Sequence, residues 1–118
     1  MRQSFEAGDH DGALAEADRL LAAVPDDAEA LEIASRCRGT LEEVLFALLG
    51  GQRATFSVAA NGQLLRALKQ DERTAFLVRM IEEDFALGDL LEMCGPLKLE
   101  ALRVLDELFR RGIIRRLW

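Results

Sequence analysis

Tyrosine is absent from this 118-residue chain, and histidine and tryptophan occur once each. A single histidine, His10, leaves an imidazole-based metal site short of ligands. No serine or cysteine is arranged with it as the nucleophile of an acyl-transfer site. Cysteine is scarce too: Cys37 and Cys94 lie inside helical patterns without metal-ligand spacing. They read as small buried residues of a reducing compartment, with no disulfide between them. Only two prolines occur, and each, Pro25 and Pro96, marks a break between helical patterns. No apolar run reaches the roughly 18–20 residues that cross a bilayer. The opening Met1-Arg2-Gln3-Ser4-Phe5-Glu6 has no apolar stretch of the secretory kind. A cytoplasmic protein with no membrane insertion is the expectation.

What the chain does have is apolar content, 50% of its residues, enough for a packed interior and too much for a disordered chain. Positive charge is unevenly placed. Residues 1–50 hold four basic and eleven acidic side chains, whereas residues 96–118 hold six basic and three acidic. An acidic first half repels nucleic acid and anionic membrane, and the net charge of −6 points away from DNA as the partner.

Helical periodicity runs through most of the chain. A short helix is predicted over Arg2–Ala7, stopped by Gly8. Ala13, Leu14, Ala17, Leu20, Leu21 and Val24 then share one face of a helix over Asp11–Val24. Asp9 or Asp11 can cap it, and Pro25 ends it. A second long pattern, from about Asp27 to Leu49, carries Ala30, Leu31, Ala34, Cys37, Leu41, Val44, Leu45 and Leu48 to the Gly50-Gly51 stop. Gly39 interrupts it, and Thr40-Leu41-Glu42-Glu43 could open a new helix as a capping box. The apolar stripe stays in phase across the glycine, which favours one continuous helix.

Ala54–Ala59 alternates in the manner of a strand, with Ala54, Phe56 and Val58 on one side. Asn61-Gly62 would suit a tight hairpin, but Gln63–Leu68 does not alternate and reads as a helical turn. The strand therefore needs a distant partner, and Ile113–Leu117 is the available one, paired antiparallel. Between them come helices over Asp71–Glu83, Leu87–Cys94 and Leu97–Arg111. Their inward positions are predicted as Phe76, Leu77, Met80 and Ile81, then Leu87, Leu90, Leu91 and Cys94, then Leu99, Leu102, Leu105, Leu108 and Phe109. Gly112 supplies the stop after the last.

Two resemblances rest on these residues. Gly8-Asp9, Ala13, Ala17, Leu20 and Pro25, within GDHDGALAEADRLLAAVPDDAEAL, resemble the second helix of a tetratricopeptide repeat and the start of the next. One and a half repeats make a helical hairpin but not the stacked groove of a solenoid. Leu90, Leu91, Glu100, Ala101, Leu102, Leu105, Leu108, Gly112 and Ile114 resemble the winged-helix-like tail of deltaproteobacterial (myxobacterial-type) signalling and motility proteins. Phe85-Ala86 departs from that pattern, in which a capping Ser or Thr is expected. The resemblance implies a protein-interaction module. The expected fold is mostly α: residues 1–50 as a helical hairpin and long connecting helix, residues 51–118 as a three-helix winged-helix-like module with a small two-stranded antiparallel ribbon.

Candidate chemistry is sparse. Asp9-His10-Asp11 reads as helix capping beside an exposed imidazole, and Glu82-Glu83-Asp84 as a solvated helix end. Gly50-Gly51 lacks the Lys-Ser or Lys-Thr of a phosphate loop. No enzymatic activity and no cofactor or metal are expected. The one basic cluster is Arg110, Arg111, Arg115 and Arg116, followed by Trp118, whose indole could anchor a contact or fold back on the ribbon. These five are the candidate partner-binding residues. The last helix mixes Lys98, Arg103 and Arg110 with Glu100, Asp106 and Glu107, a poor surface for phosphates. Phe46, Leu48, Leu49 and Phe56 would form a further apolar surface if the long helix projects, and homodimerisation is plausible. The expected role is a non-catalytic adaptor or scaffold in a bacterial cytoplasmic signalling, polarity or motility complex; the alternative is a winged-helix DNA-binding transcriptional regulator.

Overall fold

The computed structural model describes residues 1–59 and 61–117. The chain is mostly helical with one two-stranded antiparallel sheet. It divides into two compact units, Met1–Val44 and Leu45–Trp118, so the division falls inside a long helix and not at Gly50-Gly51.

In the first unit α1 (Arg2–Glu6) leads into α2 (His10–Ala23) and then α3 (Ala28–Leu48). Asp9 is the cap of α2: its carboxylate accepts from the Gly12 N–H at 3.0 Å. Asp27 does the same for α3, accepting from the Ala30 N–H at 2.9 Å. Small side chains dominate the interior, where Ala13, Ala17, Ala30 and Ala34 are buried beside Leu14, Ile33 and Cys37. Polar ties close the rim: Arg2 Nε to Glu29 Oε1 at 2.7 Å, Arg38 to Asp18 at 3.9 Å, and the terminal amine of Met1 to Glu16.

The helix α3 passes through Gly39 without a break. The capping box at Thr40 is therefore unused, because the in-phase stripe is worth more than one glycine's helix penalty of about 1 kcal/mol. It ends in a Schellman motif, with the Gly51 N–H donating to Phe46 O at 3.0 Å and the Gly50 N–H to Ala47 O at 3.1 Å.

The second unit holds β1 (Phe56–Val58), α4 (Gly62–Leu68), α5 (Glu72–Glu82), α6 (Leu87–Cys94), a 3-10 turn (Gly95–Leu97), α7 (Lys98–Arg110) and β2 (Ile114–Arg116). The helical turn expected at 63–68 is thus a seven-residue helix, capped by Asn61, which accepts from the Leu64 N–H at 2.8 Å. Asn-Gly opens a helix here and not a hairpin. The pairing of the two strands is as expected: Phe56 stands opposite Arg116, Ser57 opposite Arg115, and Val58 opposite Ile114. Backbone bonds extend the ladder at both ends, from the Ala59 N–H to Ile113 O at 2.7 Å and from the Leu117 N–H to Thr55 O at 3.0 Å.

A two-stranded ribbon is marginal unless helices cover one face. Here Phe56 and Ile114 are buried in a core with Leu77, Val78, Ile81, Leu87, Leu90, Leu102, Leu105 and Leu108. Phe109 closes it from α7, its ring edge-on to Phe56 at 6.2 Å. Leu49 and Phe56 are buried and Phe46 packs against this core, so the projecting apolar surface expected around them is reduced to Leu48. Phe76, expected to face inward with Leu77, instead leaves 38% of its surface exposed.

The end of α5 carries one non-glycine residue in the left-handed region, Asp84 at φ +65°. The Asp84 N–H donates to Ile81 O and the Phe85 N–H to Met80 O, the same pair of bonds that Gly112 and Ile113 make at the end of α7. At Gly112 no Cβ opposes the turn; at Asp84 one does, at a cost of order 1 kcal/mol. Asp84→Gly is expected to raise stability by about 0.5–1 kcal/mol, read as a higher urea midpoint with unchanged slope.

Candidate functional site

The candidate arginines sit on a short path from the end of α7 to the ribbon. The apolar face of α7 is fixed by Leu99, Leu102, Leu105 and Leu108, all buried, which turns Arg103, Glu107 and Arg110 outward. Arg110 is not a free cation: its Nε lies 3.0 Å from Asp106 Oδ2, one turn back. Arg111 follows as the C-cap of α7, and the Gly112 turn then buries Ile113 and Ile114. That burial pins the strand and sends Arg115 and Arg116 to opposite faces of it, as period-2 alternation requires.

Register shows which face is which. Arg116 is opposite Phe56, on the side of the ribbon that meets the core, and its chain has room because it lies over Gly50. A Cβ at Gly50 would stand 3.0 Å from Arg116 Cδ and 3.1 Å from its Nη1. Arg115 is opposite Ser57 on the outer face. Arg111, Arg115 and Arg116 are all exposed and, among the described residues, form no ion pair. The structure therefore brings three uncompensated arginines to one end of the unit, spread around the ribbon, with the fourth neutralised by its neighbour. Trp118 lies outside the described residues.

Beside the ribbon is an open groove of about 510 Å³, lined by Phe56, Ser57, Val58, Leu65, Glu82 and Leu117. Leu117 is 54% exposed at its edge. The acidic turn is solvated, as expected: Glu83 pairs with Arg79 of its own helix at 3.5 Å and Glu82 with Lys69 at 3.7 Å. Exposed pairs of this kind contribute little to stability.

The histidine differs from expectation. Its imidazole is half-buried, edge-on to Phe5 at 5.9 Å, with Nδ1 enclosed and without a hydrogen-bond partner. Burial raises the pKa of both cysteine thiols, and the Asp11 carboxylate adds to the rise at Cys37. Thiols held protonated are poor nucleophiles. Two carboxyls move the other way. Hydrogen bonds from Thr74 lower Asp71, the cap of α5, and the terminal amine lowers Glu16. Among the described residues no three of His, Cys, Asp and Glu gather as a metal set, and no helix is long and apolar enough to cross a membrane.

One element of the site was invisible in the sequence. Ala86 gives α6 no side-chain cap, yet its first amides are not orphaned. The Leu87 N–H donates to Ala54 O at 2.8 Å and the Gly88 N–H to Gln52 O at 2.9 Å. The loop that leads into β1 thus does the work of the missing Ser or Thr and ties the ribbon to α6. The spacing that permits it is set by Gly88, where a Cβ would fall 2.4 Å from Gln52 Cγ and 3.1 Å from Gln52 O.

Comparison with known proteins adds no relative: no family model, no curated protein and no solved structure matches the chain.

Proposed function

We propose that this chain is a non-catalytic protein-interaction adaptor or scaffold of a bacterial cytoplasmic signalling, polarity or motility complex, and that its partner presents an acidic surface to Arg111, Arg115 and Arg116. The pathway comes from the resemblance of the last third to winged-helix-like tails of such proteins. The observation that carries the reading is the set of three exposed arginines at the end of α7 and along β2 that form no ion pair among the described residues. An unpaired guanidinium keeps its fork of donors available for a carboxylate. A regulator reading DNA through α7 would need basic or amide side chains along that helix. Its outward side instead mixes Lys98 and Arg103 with Glu107 and the Asp106–Arg110 pair, so acids interrupt the basic residues along it.

The test is capture from native lysate, with and without nuclease, by wild type and by a variant carrying Glu at 111, 115 and 116. A protein that survives nuclease and is lost in the triple variant is the expected result; Arg110→Glu alone should have the smaller effect, since Asp106 already neutralises that position. Recovery of DNA that vanishes with nuclease and with moderate salt would replace this reading with the regulator, because phosphate contacts are lost steeply as counterions compete.

A further inference from the structure

The second unit carries another surface, away from any use the arginines have. Three of its large apolar side chains are well exposed: Phe76 (38%) on α5, Met93 (53%) on α6 and Leu97 (47%) in the 3-10 turn. They are not scattered. All three line one cleft of about 170 Å³ with Arg73 and Cys94. Phe76, Leu97 and Arg73 continue into a wider groove of about 620 Å³ bounded by Asp71, Glu72 and Val104. Single exposed apolar residues need no explanation, whereas a contiguous group lining a groove does.

We propose that this groove is the contact through which two copies of the chain associate about a two-fold axis, Phe76 of each entering the cleft of the other and Arg73 of each meeting Glu72 of its mate. The occupant is indicated by the charges on the rim. Glu72 and Arg73 are adjacent, exposed and opposite in sign, so a partner of one sign would gain at one and lose at the other. A symmetric contact sets the same patch against itself, and neighbouring charges of opposite sign let each meet its counterpart across the axis. Asp71 is the less available acid, because its carboxylate already accepts from the Thr74 N–H at 3.1 Å and Thr74 Oγ1 at 2.7 Å. The arginine-bearing end has the reverse property: set against itself across a two-fold axis, it would meet like charge. One end therefore suits an acidic partner and the other suits its own kind, and the dimer stands whether or not the adaptor reading does.

Sedimentation equilibrium of the 118-residue chain from micromolar to millimolar concentration tests this. The mass should rise from 13.1 kDa toward twice that value. Phe76→Glu should hold it at the monomer. Glu72→Arg and Arg73→Glu should each weaken association by about tenfold, through like charges brought together, and the double exchange should restore it. Glu72 and Arg73 are exposed, so their variants should keep the wild-type unfolding midpoint within a few degrees; Phe76 is mostly covered, and the charge exchanges are the variants that separate lost contact from lost stability. A chain that stays monomeric throughout would overturn the proposal. So would a dimer indifferent to Phe76→Glu, or one that the double exchange fails to rescue. Partner capture by the arginines is read separately and is unaffected by either result.

Discussion

Leu105→Ala is expected to lower the stability of the C-terminal unit by about 3–5 kcal/mol, the largest effect of any single truncation here. Leu105 is at the middle of α7, is fully buried, and belongs to the core that also holds Phe56, Leu77, Leu90 and Ile114. Removing three heavy atoms from that position loses their transfer free energy and leaves a cavity that two strands of three residues each cannot collapse to fill. A domain of this size has only about 5–15 kcal/mol of net stability, so much of the ribbon's support would go with it. Leu105→Met, which conserves volume, should cost less than about 1.5 kcal/mol. Urea unfolding followed by helical circular dichroism measures both. Equal and small effects would mean that α7 is not the spine of the core.

Gly88→Val is expected to cost about 2–4 kcal/mol, from a clash and from two lost caps. The β-carbon would press on the Gln52 side chain and on the Gln52 carbonyl. The side chain can swing away; the carbonyl cannot, since it is the acceptor of the Gly88 amide itself. Moving that loop would leave the first amides of α6 unpaired, each costing about 1–3 kcal/mol where water cannot replace the partner. The contrast is Gly39, inside α3, where a β-carbon meets nothing within 4 Å. Gly39→Ala should stabilise by up to about 1 kcal/mol, as helix propensity alone dictates. Opposite signs at two helical glycines, measured as shifts in urea midpoint, check that the loop and not the helix is what requires Gly88.

These two glycines also mark how far the sequence could be read. Gly39 was legible: its neighbours kept the apolar stripe in phase, and the helix is continuous. The ribbon was legible by elimination, because Ala54–Ala59 alternated and only Ile113–Leu117 could answer it. Helix α6 was legible to the residue, since Leu87, Leu90, Leu91 and Cys94 leave no other period. The capping of α6 by Gln52 and Ala54 was not, because a backbone carbonyl has no letter. It is a contact between residues more than thirty positions apart, and the only trace was the absence of a Ser or Thr at position 86. Phe76 failed for a different reason. It lies at the edge of the apolar arc of α5, and periodicity ranks positions by phase without saying where the neighbouring helices stop covering them. Met93 falls outside the stripe of α6 altogether, a signal of an exposed apolar residue that the pattern contained. The imidazole of His10 was misplaced because its burial depends on Phe5, delivered by a five-residue helix whose packing no local pattern specifies.

For the arginines the sequence showed the cluster but not its division. Counting charges treats Arg110 and Arg116 alike, whereas the structure pairs one with Asp106 and lays the other across Gly50. Only register could separate Arg115 from Arg116, and register is a property of the pair of strands.

Amide exchange of the chain alone and in complex with the protein it captures would locate the contact directly. The account predicts slowed exchange confined to residues 108–117 and the facing strand β1, with α2 and the start of α3 unchanged. Protection centred on the N-terminal hairpin, with residues 108–117 exchanging as in the free chain, would contradict it.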